Sequence, residues 1–101
     1  MQLKILSWNI WEHGYFDQIA QFLKYSKADI IGLQEVTLND PGRDTLDYLQ
    51  KLGYAYVLSP FVQLKDGRTR GNVIFSKYKI LASQTHELSK APDRSAIQAD
   101  I

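Results

Sequence analysis

The first 36 residues alternate between two short apolar segments and one segment with helical periodicity, and this order constrains the fold more than any other feature. Residues 2–9 and 28–36 are mostly apolar runs of strand length, which favour buried strands; the second is predicted to end near Glu35. Between them, residues 16–27 carry apolar side chains at helical spacing, with Asp17 in the first turn. A strand, a helix and a strand in this order normally form a crossover that leaves both strands parallel in one sheet.

A second helix is predicted between the turn-forming residues 39–42 and Gly53. Asp44 can cap its first turn, and Gly53 suits the left-handed residue that follows a helix. Beyond it, short apolar or alternating runs predict strands at residues 54–61, 72–75, 80–88 and 95–101, with turns at 66–67 and 91–93. Because 101 residues can bury one modest core, we expect one α/β (α+β) domain, with a mixed sheet flanked by two helices.

Composition excludes several function classes. The 12 Lys and Arg residues balance 11 Asp and Glu residues, so no long-range field selects a polyanion. Because the sequence has no cysteine, disulfides, thiolate catalysis and sulfur-ligated zinc sites are excluded. No signal peptide or apolar run of membrane-spanning length is visible, which predicts a soluble, cytoplasmic protein.

Two polar residues, Asn9 and Glu35, follow the two predicted parallel strands. The carboxyl ends of parallel strands share one edge of a sheet, where ligands usually bind in α/β proteins. A carboxylate beside a neutral amide suits a hard divalent cation such as Mg²⁺, which keeps several waters for phosphate oxygens. Spacing alone favours a plainer interpretation, in which Glu35 is a solvated strand end and Asn9 a turn residue.

Three stretches together resemble one family: residues 6–11 (LSWNIW), 29–36 (DIIGLQEV) and 71–78 (GNVIFSKY). In this order and spacing they are similar to the endonuclease/exonuclease/phosphatase superfamily, the DNase I-like metal-dependent phosphodiesterases. The resemblance implies an α/β/β/α two-sheet sandwich that hydrolyses phosphate esters with Mg²⁺ or Mn²⁺. It also implies that Glu35 ligates the metal and that Asn9 helps to hold it. Both residues are then catalytic as well as metal-binding.

The resemblance makes weaker suggestions about two other residues. Arg94 opens a predicted strand and is a candidate contact for substrate phosphate, because a guanidinium can donate two hydrogen bonds to it. A solvated Arg after the turn at 91–93 explains the same residue equally well. Ser76 is interpreted as structural, since it has no evident His partner to activate it as a nucleophile.

The second half of the family's catalytic centre has no counterpart in this sequence, which lacks both a Gly-Asp-x-Asn stretch and an Asp-His pair. His13 and His86 are interpreted as structural or surface residues. Trp11 stands where some DNA-repair branches of the family carry an acidic residue, although Glu12 could bring a second carboxylate near Asn9. The resemblance covers residues 1–101 but only the N-terminal portion of the family's domain, and the strand pattern still runs at Ile101. We therefore expect a chain truncated at its C-terminus, missing the C-terminal half of the domain and prone to self-association.

The leading hypothesis is the first half of a magnesium-dependent phosphodiesterase, with little hydrolysis by the 101-residue chain alone. The alternative is a non-catalytic module that binds a phosphate ligand or a partner at the same edge. The aromatic residues that could stack on bases are Tyr54, Tyr56, Phe61 and Tyr78. In strands, such rings more often serve core and cross-strand packing. The substrate is a phosphate ester, and nucleic acid is slightly preferred because Lys65, Arg68 and Arg70 form a basic segment.

Overall fold

The computed structural model describes residues 2–10, 16–38, 42, 44–59, 62–87 and 95–101. These ranges contain two helices and seven strands, in the order β1 (Ile5–Asn9), α1 (Phe16–Ser26), β2 (Ile30–Leu38), α2 (Thr45–Lys51), β3 (Ala55–Leu58), β4 (Val62–Gln63), β5 (Thr69–Ser76), β6 (Ala82–Glu87) and β7 (Ser95–Asp100). Neither described helix, of 11 and 7 residues, is long and apolar enough to cross a membrane.

The main sheet is mixed, with the strand order β1-β2-β5-β3, and β4 also pairs with β5. β1 and β2 are parallel, whereas β3, β4 and β5 join the sheet through antiparallel pairs. The parallel pair confirms the predicted crossover. β6 and β7 form a separate antiparallel pair. The mixed main sheet and the two helices confirm the predicted α/β (α+β) class.

Both helices pack against one face of the main sheet, and this face forms the core. Ile31, Leu33 and Phe75 lie there with no exposed surface. The core residues are Ile10, Ile19, Leu23, Ala28, Ile31, Leu33, Val36, Leu38, Leu49, Tyr54, Val73 and Phe75. α2 begins as predicted, because the Asp44 carboxylate accepts a hydrogen bond from the Asp47 backbone N–H at 3.1 Å.

The opposite face of the main sheet is covered only in part. β7 contacts β5 and β3 on this face, and a cleft of about 210 Å³ lies between the sheet and the β6–β7 pair. At the β1 side of the same face, the Ile5 side chain is 69% exposed. Ile5 is therefore a position at which the expected tendency to self-associate can be tested.

Several predicted strand boundaries are wrong by about three residues, and the error in β2 concerns the candidate site. It was predicted to end near Glu35 but runs to Leu38, because β5 continues to pair with it after β1 has ended. β1 begins at Ile5 rather than at residue 2, and β5 begins at Thr69 rather than at residue 72. Of the predicted turns, residues 39–41 and 91–93 lie outside the described residues.

Candidate functional site

Asn9 is the last residue of β1, and it pairs with Gln34 in the parallel ladder. The ladder extends one hydrogen bond further, since the Ile10 N–H donates to the Gln34 carbonyl at 3.1 Å. Side chains alternate between the two faces of a strand, and Leu6 and Trp8 of β1 pack against the core. Asn9 and Gln34 therefore lie on the face opposite the helices, where Asn9 is exposed.

Glu35 lies in a β-bulge of β2. The register with β5 shifts between Leu33 and Val36, so Gln34 and Glu35 together face the single residue Asn72. Leu33 and Val36 are both fully buried in the core, which leaves Gln34 and Glu35 on the opposite face. The bulge thus keeps the Glu35 carboxylate on the face that carries Asn9, and Glu35 is only half-buried there.

The extra residue gives Glu35 an unusual backbone. Its φ angle is +59°, in the left-handed region that non-glycine residues rarely occupy. Lys27, in the connection between α1 and β2, is the other described non-glycine residue with positive φ, at 50°. Strained backbone of this kind persists only where the surrounding structure holds it in place, and it occurs most often at functional sites.

Asn72 and Ser59 hold this bulge, although neither is among the site residues predicted from the sequence. The Asn72 Oδ1 accepts a hydrogen bond from the Glu35 N–H at 3.3 Å. The Asn72 N–H donates to Ser59 Oγ at 2.9 Å, and the Ser59 N–H donates to the Asn72 carbonyl at 2.9 Å. The available signal was an amide side chain within the otherwise apolar strand segment 71–75.

The donor set fits a magnesium-type cation better than a zinc-type one. Asn9 and Glu35 offer one amide oxygen and one carboxylate, and Mg²⁺ binds through one or two carboxylates while it keeps several waters. Within the described ranges, no group of three or more His, Cys, Asp or Glu side chains could hold a metal ion. The 210 Å³ cleft is lined by Gln34 and Asn72, beside Glu35 and Asn9.

The remaining predicted site residues are less informative. Arg94 lies outside the described residues, as do Trp11, Glu12 and His13. Ser76 is fully buried, and its Oγ accepts a hydrogen bond from the Tyr78 N–H at 2.9 Å, in agreement with a structural role. His86 is exposed on β6 and contacts the Gln98 Oε1 at 3.1 Å.

The basic segment is partly neutralised within its own turn. Arg68 donates from Nε to the Asp66 carboxylate at 2.7 Å, and its Nη2 lies 2.6 Å from the same oxygen. Hydrogen bonds from the Arg68 side chain, and then from its backbone, lower the pKa of the Asp66 carboxyl group. Arg68 is therefore already paired with a carboxylate, while Lys65 is exposed on the same turn.

The described aromatic residues considered for base stacking belong largely to the core, and Phe61 lies outside the described residues. Tyr54 is 4% exposed, and its hydroxyl donates to the Ala28 carbonyl. Tyr54 and Tyr56 both pack against Phe75, with ring centroids at 6.5 and 6.0 Å. Tyr54 is thus buried and Tyr56 half-buried, whereas Tyr78 is 41% exposed and is a ring that a ligand could reach.

Comparison with known proteins adds a family and a fold. A family model described as "Endonuclease/Exonuclease/phosphatase family" matches residues 6–99. An endonuclease/exonuclease/phosphatase from Beutenbergia cavernae DSM 12333 is similar with a TM-score of 0.75 and 22% identity, over 96% of this chain and 33% of that chain. An endonuclease/exonuclease/phosphatase family protein from Leptotrichia buccalis C-1013-b gives a TM-score of 0.65 and 23% identity, over 97% of this chain and 46% of that chain. No curated protein matches significantly. The chain thus has the fold of one third to just under one half of these structures.

Proposed function

Because this chain belongs to the endonuclease/exonuclease/phosphatase family, we propose that it contributes Asn9 and Glu35 to the metal centre of a phosphoric ester hydrolase that depends on Mg²⁺ or Mn²⁺. One observation carries the proposal. The Asn9–Gln34 pair and the bulge at Glu35 bring an amide and a carboxylate to one accessible face of the sheet. Polar strand ends alone would not require the strained backbone at Glu35.

Each residue has a distinct part in this proposal. The Glu35 carboxylate supplies the negative charge that holds the cation, and the Asn9 amide oxygen supplies a neutral ligand. A bound Mg²⁺ provides Lewis-acid polarisation of a phosphate oxygen. The partly open face on which both residues lie gives a phosphate ester access to the site.

The substrate proposal is a phosphodiester, with a slight preference for nucleic acid. Arg70 lies on β5 opposite Thr37 of β2, two residues along the strand from Glu35, and Lys65 lies on the turn that precedes β5. Both can attract a phosphate backbone. Because Arg68 is paired with Asp66, its contribution to this attraction is smaller than its formal charge suggests. Arg94 stays a candidate phosphate contact, on the resemblance alone.

A Mn²⁺ titration followed by electron paramagnetic resonance tests the metal proposal. Mn²⁺ is expected to bind one site in the 101-residue chain, and Glu35→Gln, which keeps shape but removes charge, is expected to weaken binding at least tenfold. Asp17→Asn is the matched control, since it removes an exposed carboxylate on α1 at no proposed site. Equal Mn²⁺ affinity of Glu35→Gln and the unmodified chain would overturn the assignment of Glu35.

Hydrolysis and binding assays separate the enzyme from the binding module. The chain spans less than half of the similar structures, so we propose that the missing half of the domain supplies the general acid and base. The isolated chain should then hydrolyse a nitrophenyl phosphodiester at least about 100-fold more slowly than a complete domain. Rapid Mg²⁺-dependent turnover that Glu35→Ala abolishes would contradict this division of the site. Saturable oligonucleotide binding that survives chelation of the metal would favour the binding module instead.

A further inference from the structure

The bulge at Glu35 needs an external support. In the left-handed region, a residue with a side chain is sterically less favourable than in extended backbone. At the bulge, the regular ladder between β2 and β5 is interrupted, so Glu35 lies outside the residue-by-residue pairing of the two strands. A buried or half-buried N–H without a partner would add a further penalty.

Asn72 provides that support from the opposing strand. Its side-chain oxygen takes the place of a ladder carbonyl and accepts the Glu35 N–H at 3.3 Å. Its own backbone is fixed by two reciprocal hydrogen bonds to Ser59, which is 4% exposed. A connected series of contacts therefore runs from the buried Ser59, through Asn72, to the backbone of Glu35.

We propose that Asn72 is a positioning residue, which sets the direction of the Glu35 carboxylate toward Asn9 and the cation without binding the cation itself. The metal part of this inference rests on the proposed function, whereas the backbone part does not. The Asn72 Oδ1 is already engaged by the Glu35 N–H, which favours a supporting role over direct ligation. Groups that orient metal ligands in this way commonly affect metal affinity by 10- to 100-fold when they are removed.

Two variants of Asn72 separate its hydrogen-bonding role from its volume. Asn72→Leu keeps a similar volume and removes the acceptor, while Asn72→Asp keeps an acceptor at the same position. Ser59→Ala removes the hydroxyl that accepts the Asn72 N–H, which is one contact further from Glu35. Ile74→Ala, two residues along the same face of β5, is the control for general loosening of the strand.

Amide hydrogen exchange measured by NMR is the first readout, because it needs no metal. Asn72→Leu is expected to speed exchange of the Glu35 amide by about fivefold to tenfold relative to the Leu33 amide. This is the change in the opening equilibrium that the loss of one ordinary hydrogen bond produces. Asn72→Asp should retain the protection, and Ile74→Ala should not change this ratio. An unchanged ratio in Asn72→Leu would overturn the proposal. If Asn72→Leu does not fold, Ser59→Ala decides, with a smaller increase of the same ratio expected.

Mn²⁺ affinity is the second readout. Asn72→Leu is expected to weaken binding roughly 10- to 100-fold, and Ser59→Ala is expected to weaken it less. Complete loss of Mn²⁺ binding with an unchanged Glu35 amide would make Asn72 a direct ligand and refute the positioning role. If the unmodified chain binds no Mn²⁺, the proposed function fails, and the amide exchange alone then decides whether Asn72 holds the bulge.

Discussion

Replacement of Glu35 by Gly or by Ala gives a test of the bulge that is independent of metal binding. Both variants remove the carboxylate, so they differ only in the presence of a Cβ atom at a residue with φ of +59°. Glycine adopts this conformation without the steric penalty of an L residue. Glu35→Gly should therefore be more stable than Glu35→Ala, although glycine weakens most strand positions.

The magnitude follows from two opposing effects. Relief of the left-handed conformation stabilises the Gly variant by about 1–2 kcal/mol. The greater freedom of Gly in the unfolded chain opposes this by about 0.4–1 kcal/mol. A net advantage of roughly 0.5–1 kcal/mol for Gly over Ala is therefore expected in the free energy of unfolding.

Urea unfolding of four variants measures this difference. Gln34, the neighbouring bulge residue, is not among the described residues with positive φ and provides the matched pair Gln34→Gly and Gln34→Ala. There the order should be reversed, with Gly less stable by about 0.5–1 kcal/mol. If Glu35→Gly is no more stable than Glu35→Ala while the Gln34 pair behaves as expected, the strain at Glu35 is refuted.

Four further outcomes are expected. Asp44→Ala removes the cap of α2 and should cost about 1 kcal/mol of stability, measured by thermal unfolding; an unchanged melting temperature would contradict the cap. Leu33→Ala empties a fully buried core position and should cost about 2–5 kcal/mol in urea unfolding, whereas a cost below 1 kcal/mol would show that the core collapses around it. Burial, and then the charge of Asp29, raise the pKa of Tyr54 in the folded protein. Tyr54 therefore contributes fully to stability below pH about 10, and its contribution declines as the pH rises further. Above pH about 10, urea midpoints should fall less steeply with pH in Tyr54→Phe than in the unmodified chain, and equal slopes would contradict the raised pKa. Ile5, which is 69% exposed on the open sheet face, predicts self-association that sedimentation detects and Ile5→Lys reduces, whereas a monodisperse unmodified chain with a cooperative melt would contradict it.

The order of elements in the first half of the chain could be predicted from the sequence because each signal is local. The helical spacing before Leu23 and the apolar runs on either side depend only on neighbouring residues, so the crossover and its parallel strands follow from general rules. The cap at Asp44 and the positive φ of Gly53, at 101°, are equally local. The family motifs likewise lie in continuous stretches of sequence.

The candidate site itself was only half predictable. The sequence predicts Asn9 and Glu35 at the carboxyl ends of two adjacent strands, and the resemblance implies that both belong to a metal site. Asn9 does end β1, whereas Glu35 lies in a bulge within β2. The bulge that keeps Glu35 on the face that carries Asn9 depends on β5, whose residue Asn72 is 37 positions away in the sequence. No local pattern around Glu35 signals an extra residue in the strand, so β2 was predicted to end three residues too early.

The sequence by itself determined the two helices, the strand–helix–strand order that makes β1 and β2 parallel, and the family to which the chain belongs. The tertiary structure alone decided the register of β2 against β5, and with it the bulge and the support from Asn72 and Ser59. The physical reason is that periodicity and capping are short-range, whereas register is chosen by the pairing of distant strands. A shift of one residue moves every side chain to the opposite face. The placement of the Glu35 carboxylate therefore depends on a contact that only the folded sheet creates.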